Sequence, residues 1–198
     1  MKLYLSSISI PNDQLFIDLF DMSRRNTIAV IPNAWTTYPQ EKSLPYVEAL
    51  TDRLKVLGFD VVIVDLLQYV NRTDALKQFL ESLQGVWLTG GNTFYLNWAI
   101  HQSGFDTIIL DLIHNGLVYG GESAGAVVAG KTLHGIEHLD NPEDAPEIIW
   151  DGLGLVGFGL VPHWGNPKYA GSLEKCKKVM AGYGEVKILD DSEYFVTK

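Results

Sequence analysis

Leu117-Val118-Tyr119-Gly120-Gly121-Glu122-Ser123-Ala124-Gly125-Ala126-Val127-Val128-Ala129 sets the reading of this 198-residue chain. Its first three residues have the apolar character of a buried strand, its last four read as a helix, and glycines crowd the bend between them. The same alternation recurs on both sides. Upstream, Val86-Trp87-Leu88 runs into the turn Thr89-Gly90-Gly91-Asn92, then into helical stretches at about Thr93–His101 and Phe105–Asn115. Farther back, Thr27–Ile31 and Val61–Val64 are continuous apolar runs, as expected of strands buried on both faces. Helices are predicted from about Pro45 to Leu57, ended by Gly58 as a C′ glycine, and from about Asp74 to Leu83. The amino-terminal segment gives a strand over Leu3–Ile10 and a helical stripe (Leu15, Phe16, Leu19, Phe20, Met22) within Asn12–Ser23. Downstream, Phe158–Pro162 and Val186–Leu189 read as strands and Leu173–Lys178 as helix, while Leu139–Trp150, with two prolines, reads as loop. Strands and helices alternating at this spacing predict one α/β domain over residues 1–198, a mostly parallel sheet with helices on both faces.

Composition narrows the function classes. Hydrophobic residues make up 46% and charged residues 20%, a globular balance. A net charge of −9 with no Lys/Arg stripe argues against nucleic acid as a partner. The single cysteine, Cys176, leaves no intrachain disulfide and no cysteine zinc knuckle; on its helix it is expected to be an inert, half-buried thiol. The start, MKLYLSSISIPND, lacks a signal-peptide core, and no apolar run approaches the ~18 residues of a membrane span. A cytoplasmic protein with no membrane partner is expected; the sequence does not give its oligomeric state.

In open α/β sheets, ligands bind beyond the carboxyl ends of the strands. Gly121-Glu122-Ser123-Ala124-Gly125 falls there and has the G-x-S-x-G form of a nucleophile elbow, in which a sharp strand-to-helix turn exposes a serine hydroxyl. The Ala124 amide then points where an oxyanion would form, and Gly91 in the neighbouring glycine turn is the choice for a second donor. The five-residue pattern alone is a weak signal, and a serine that merely caps a helix is its plain alternative. Likewise Gly90-Gly91-Asn92 reads equally as an ordinary turn with Asn92 or Thr93 as cap.

A serine nucleophile needs a base. Of the histidines at 101, 114, 134, 138 and 163, His163 follows the apolar run Phe158–Pro162 at another strand's carboxyl end and is the best candidate. His101 and His114 lie near helix ends. His134-Gly135-Ile136-Glu137-His138 spells the H-x-x-E-H of zinc proteases, but Gly135 interrupts it; in extended chain the two histidines stand ~13 Å apart, too far to share an ion. No metal is expected. For the acid, Asp190, Asp191 and Glu193 follow a strand end, whereas Glu137, Asp140, Glu143, Asp144, Glu147 and Asp151 would give the Ser-acid-His order.

Three segments together resemble the alpha-aspartyl dipeptidase and cyanophycinase family of serine peptidases: Thr89-Gly90-Gly91-Asn92-Thr93-Phe94, Gly121–Ala126, and Gly152-Leu153-Gly154-Leu155 leading to Val161-Pro162-His163-Trp164. The resemblance implies a class I glutamine amidotransferase-like fold, a flavodoxin-like three-layer sandwich with serine in place of cysteine. It implies hydrolysis of peptide bonds in small peptides, without metal or organic cofactor. Carried over by position, Ser123 is the nucleophile, His163 the base, the Gly91 and Ala124 amides the oxyanion hole, and Asp191 the acid, with Glu193 as its rival. The chain departs from the family at Gly165-Asn166-Pro167-Lys168-Tyr169, which is short and carries one lysine where aspartyl dipeptidases have a longer basic segment that helps bind an N-terminal aspartate. It also stops at Lys198, inside an expected final hairpin. Other readings on these residues are an esterase or amidase for non-peptide acyl groups and a binding protein without turnover.

Overall fold

The computed structural model describes residues 1–23 and 26–198. Its strands are β1 (Leu3–Ser6), β2 (Thr27–Ile31), β3 (Asp60–Ile63), β4 (Gly85–Leu88), β5 (Val118–Glu122), β6 (Gly159–Val161), β7 (Val186–Ile188) and β8 (Tyr194–Thr197). Its helices are α1 (Asp13–Ile17), α2 (Gln40–Val56), α3 (Thr73–Glu81), α4 (Thr93–Ser103), α5 (Phe105–His114), α6 (Ala124–Val127) and α7 (Ala170–Met180). The central sheet runs β3-β2-β4-β5-β1-β8, parallel throughout except for β8, which pairs antiparallel with β1. So the last strand closes the sheet edge beside β1, where a terminal hairpin was expected.

Side chains alternate between two cores, one on each face of the sheet. Tyr4, Ile28, Val30, Trp87 and Val118 pack with Phe16 of α1 and with Leu50 and Leu54 of α2. Leu3, Leu5, Ala29, Ile31, Val86, Leu88 and Tyr119 pack with α3, α4, α5 and α6. This is the three-layer α/β arrangement, mostly parallel, that the apolar periods predict. Among the described residues no helix is long and apolar enough to cross a membrane.

Four boundaries differ from expectation, each for a local reason. The first strand ends at Ser6 and does not reach Ile10, because Ser9 adopts φ +48° and the Ser6 hydroxyl donates to its carbonyl. Helix α1 covers Asp13–Ile17 and does not run to Ser23; Asn12 Oδ1 caps it by accepting from Leu15 N–H, and the Lys2 ammonium donates to the Leu19 carbonyl beyond its end. Helix α2 begins at Gln40, a turn and a half before Pro45, with the Pro39 carbonyl accepting from the Lys42 and Ser43 amides. Finally, β3 is not a strand buried on both faces. It forms the sheet's open edge, and Ile63 is half exposed. Gly58 does end α2, at φ +96°. Cys176 is fully buried, which corrects the half-buried expectation, and that burial pushes its thiol up to about 12.

Candidate active site

β5 ends at Glu122, and Ser123 follows it at φ +46°, ψ −112°, a backbone conformation that L-residues avoid. Such a conformation costs on the order of 1–3 kcal/mol and persists only where the surroundings impose it. Here Ser123 N–H donates to the Ser6 carbonyl at 3.0 Å across the β1–β5 pair, and the Ala126 and Val127 amides donate back to the Ser123 carbonyl at 3.0 and 2.9 Å. Gly121 and Gly125 allow the bend to close: a Cβ on Gly121 would strike the Gly125 carbonyl, and one on Gly125 would strike the Leu88 carbonyl. Ser123 occupies the N-cap position of α6, yet its hydroxyl makes no cap hydrogen bond. Its Oγ lies instead 3.0 Å from His163 Nε2.

His163 and Asp191 arrive on neighbouring strands. β6 and β7 form a separate two-stranded parallel sheet with Val161 opposite Ile188, extended by Leu189 N–H donating to Val161 O and Trp164 N–H to Leu189 O. Past that register, His163 Nδ1 lies 2.7 Å from Asp191 Oδ1. His163 itself is held at φ +61°, its N–H donating to Ser7 Oγ at 2.8 Å. The Ser7 hydroxyl donates to Asp191 Oδ1 at 3.0 Å, and the Asn166 side-chain amide donates to Oδ2 at 3.0 Å. Burial works to raise the Asp191 carboxyl, but the hydrogen bonds from His163, Asn166 and Ser7 outweigh it and hold the group below the usual carboxylate range.

Glu193 lies outside this arrangement. It is exposed, and its carboxylate accepts from the Asp190 amide at 2.9 Å. Asp190 accepts from the backbone and hydroxyl of Ser192. Of the acids between Ser123 and His163, Asp140 reaches the same cavity, where it accepts from the amide and hydroxyl of Thr93 at the start of α4.

The glycine turn after β4 packs directly against Ser123: a Cβ on Gly90 would stand 3.2 Å from Ser123 Cβ. Gly91 sits at φ +127°, and a Cβ there would collide with the Ala34 carbonyl, which also accepts from Asn92 N–H at 2.8 Å. Asn92 caps α4 through Oδ1 as well, so the ordinary-turn reading and the close approach to Ser123 hold together. Ala124 is the first residue of α6, next in the chain to Ser123.

These groups line a cavity of about 510 Å³. Its walls include Trp35, Tyr38 and Tyr46, the Glu122 and Asp140 carboxyls, and Lys168. Glu122 is 1% exposed and accepts from Ser9 N–H at 2.6 Å, Trp87 Nε1–H at 3.1 Å and the Tyr46 hydroxyl. Its burial raises the carboxyl above its ordinary value, and the burial of Asp140 does the same there. Tyr169 stacks on the His163 ring at 5.3 Å, and the Lys168 ammonium lies 4.8 Å from the Tyr169 ring centre.

Sequence reasoning missed Ser7, Asn166, Glu122 and Tyr46. Ser7 was hidden inside a strand read to Ile10, four residues past its end at Ser6. Asn166 lay in a segment notable only for lacking basic residues, and Glu122 read as the variable position of a motif. The H-x-x-E-H segment is not a helix: Gly135 is left-handed at φ +102°, Ile136–His138 is a short 3-10 turn, and the His134 ring is stacked between Trp150 and Tyr183 at 4.4 and 4.1 Å. Among the described residues no group of three or more His, Cys, Asp or Glu is arranged to hold a metal ion.

Comparison with known proteins agrees with this architecture. The model of peptidase family S51 matches residues 9–196. An uncharacterized peptidase of Listeria innocua serovar 6a is 32% identical over 183 residues, 92% of this chain and 84% of its own. A Drosophila melanogaster protein named probable alpha-aspartyl dipeptidase is 30% identical over 159 residues, 80% of this chain and 60% of its own. A crystal structure assigned to peptidase E from Listeria monocytogenes EGD-e superposes with a TM-score of 0.82 at 26% identity, covering 100% of this chain and 98% of the other. The chain therefore belongs to peptidase family S51, the peptidase E and alpha-aspartyl dipeptidase family, and is a peptidase.

Proposed function

We propose that the protein is a serine-type peptidase for short peptides in which Ser123 is the nucleophile, His163 the general base and Asp191 the acid that orients it. The observation that carries this reading is the continuous chain Ser123 Oγ–His163 Nε2, 3.0 Å, and His163 Nδ1–Asp191 Oδ1, 2.7 Å, in a cavity large enough for a small peptide. An ionised Asp191 accepts from Nδ1–H, which fixes the tautomer and leaves the Nε2 lone pair toward the serine. His163 takes the Ser123 proton as Oγ attacks the peptide carbonyl, and the Gly91 and Ala124 amides hold the oxyanion of the tetrahedral intermediate. The imidazolium then gives its proton to the leaving amine as the C–N bond breaks. Water, deprotonated by His163, hydrolyses the acyl-enzyme and restores Ser123.

The cavity chemistry bears on specificity. An aspartate side chain entering it would meet the Glu122 and Asp140 carboxyls and, among the described residues, one lysine, Lys168, which lies over Tyr169. Peptides with an uncharged N-terminal residue are therefore expected to exceed their Asp-X counterparts in kcat/KM by about 10-fold or more, on the scale at which a missing charge partner discriminates substrates. A matched Ala-X, Leu-X and Asp-X panel checks this, and preference for Asp-X would contradict it.

Intact-mass spectrometry after incubation with a fluorophosphonate probe tests the chemistry. One adduct is expected on the native protein, suppressed by a competing peptide. An unmodified protein that also leaves every peptide of the panel intact would overturn the serine-peptidase reading.

A further inference from the structure

A second groove adjoins the catalytic cavity across a shared aromatic wall. That groove, about 720 Å³, runs between the ends of β2 and β3 and the outer face of α2, where Pro32, Leu44, Val47 and Ile63 give it an apolar floor. Trp35 and Tyr38 line both spaces. The catalytic space lies at the carboxyl edge of the sheet over β4, β5 and β1, and the groove begins at the carboxyl ends of β2 and β3 and runs along α2 as far as Lys55. Ligand sites of parallel sheets form along this edge. A dipeptide needs no more than the first space, since sites for drug-sized ligands span roughly 300–1,000 Å³.

The wall between the two spaces has unusual chemistry. Trp35 sits in a short 3-10 turn, Asn33–Trp35, between β2 and α2, and its ring packs on Tyr38 at 4.9 Å and Tyr46 at 4.7 Å. Among the described residues, the enclosed Trp35 Nε1 and Thr37 Oγ1 have no hydrogen-bond partner. Buried polar groups are nearly always paired, and two orphans in one short segment mark a place where function outweighs stability. Of the two, only Trp35 lines the two spaces, and its Nε1–H is a donor for which a substrate backbone carbonyl is a fitting acceptor. The apolar floor is unusually open: Leu44 and Ile63 are each 53% exposed.

We propose that this groove holds the residues of a peptide substrate that lie beyond the pair flanking the scissile bond, so that the enzyme prefers peptides longer than dipeptides, with apolar side chains over Leu44 and Ile63. The inference rests on the serine-peptidase reading above. On it, Trp35 and Tyr38, which line both spaces, are specificity residues that the substrate meets as it passes from one space to the other.

The test is a length series from dipeptide to pentapeptide with a constant scissile pair, run on the native protein and on Leu44→Glu and Ile63→Glu. Both positions are exposed and outside the catalytic cavity, so either variant keeps the core intact. Native kcat/KM is expected to rise about 10-fold or more from dipeptide to tetrapeptide, the scale of one or two apolar contacts. Each variant is expected to erase most of that gain through KM while leaving the dipeptide rate within about 2-fold. A flat or falling native series would overturn the inference while leaving the serine chemistry intact. So would variants that slow dipeptide and tetrapeptide equally, or that only convert a dimer to monomer, since the groove would then be a contact between copies. Loss of fluorophosphonate labelling together with loss of all turnover would instead remove the reading beneath it.

Discussion

Ser123→Ala is expected to lower kcat on any accepted peptide by on the order of 10⁶ and to abolish fluorophosphonate labelling, while the protein stays folded. Removing the nucleophile of a serine peptidase removes the covalent route, and what survives is binding and oxyanion stabilisation of a water attack. His163→Ala is expected to lose nearly as much, and the double variant no more than the worse single one, because the two residues act as one unit through the 3.0 Å contact. The same serine yields a stability result. At φ +46°, ψ −112° an alanine keeps the strain that its Cβ creates, whereas a glycine releases it. Ser123→Gly is therefore expected to be more stable than Ser123→Ala by about 1–2 kcal/mol, or roughly 2–6 °C in Tm for a chain of this size. Equal melting temperatures would mean that the turn is not strained and that the serine's reactivity has another origin.

The same bend shows how far the sequence could be read. Strand, glycine turn and helix around Ser123 were legible because each leaves a local mark: an apolar run, glycines where a Cβ would hit the Leu88 or Gly125 carbonyl, and small residues after them. His163 was legible for the same reason, standing just past an apolar run. The choice between Asp191 and Glu193 was not, since it depends on the register of β6 against β7, which no local pattern encodes. One residue of slip turns every side chain of a strand to the other face. Ser7 lay further out of reach. It contacts His163 and Asp191 from 156 and 184 residues away, and β1 lies beside β5 only because the chain inserts the first strand between the fifth and the last. The edge position of β3 was hidden likewise: its valines read as a core strand, and only strand order shows that one side of it has no neighbour.

Asp191→Asn is expected to lower kcat by about 10⁴ with KM little changed, and Glu193→Gln to leave both within about 2-fold. The carboxylate of Asp191 accepts from three donors at once: His163 Nδ1–H, the Ser7 hydroxyl and the Asn166 amide. An amide of the same shape must turn an N–H toward one of them. If it faces His163, the ring takes the tautomer that presents Nε2–H to Ser123, and the base is lost; the ~10⁴ scale is that of the equivalent change in other serine peptidases. Stability should follow the charge. Because the folded state holds the Asp191 carboxyl below its ordinary value, its ionised form stabilises the fold fully above the unfolded value, about pH 3.9, and that contribution is lost as pH falls through the lower folded value. The stability gap between native protein and Asp191→Asn should therefore be widest above about pH 4 and close below it, which chemical denaturation at several pH values measures. Ser7→Ala removes one donor to Asp191 and the acceptor of the His163 N–H while keeping both partners of the His163–Asp191 contact, so it should raise the Asp191 carboxyl and shift the gap's lower limit upward, with a smaller loss in kcat. If Glu193→Gln were the damaging change instead, the β6–β7 register would have to differ in solution by the two residues that separate these acids.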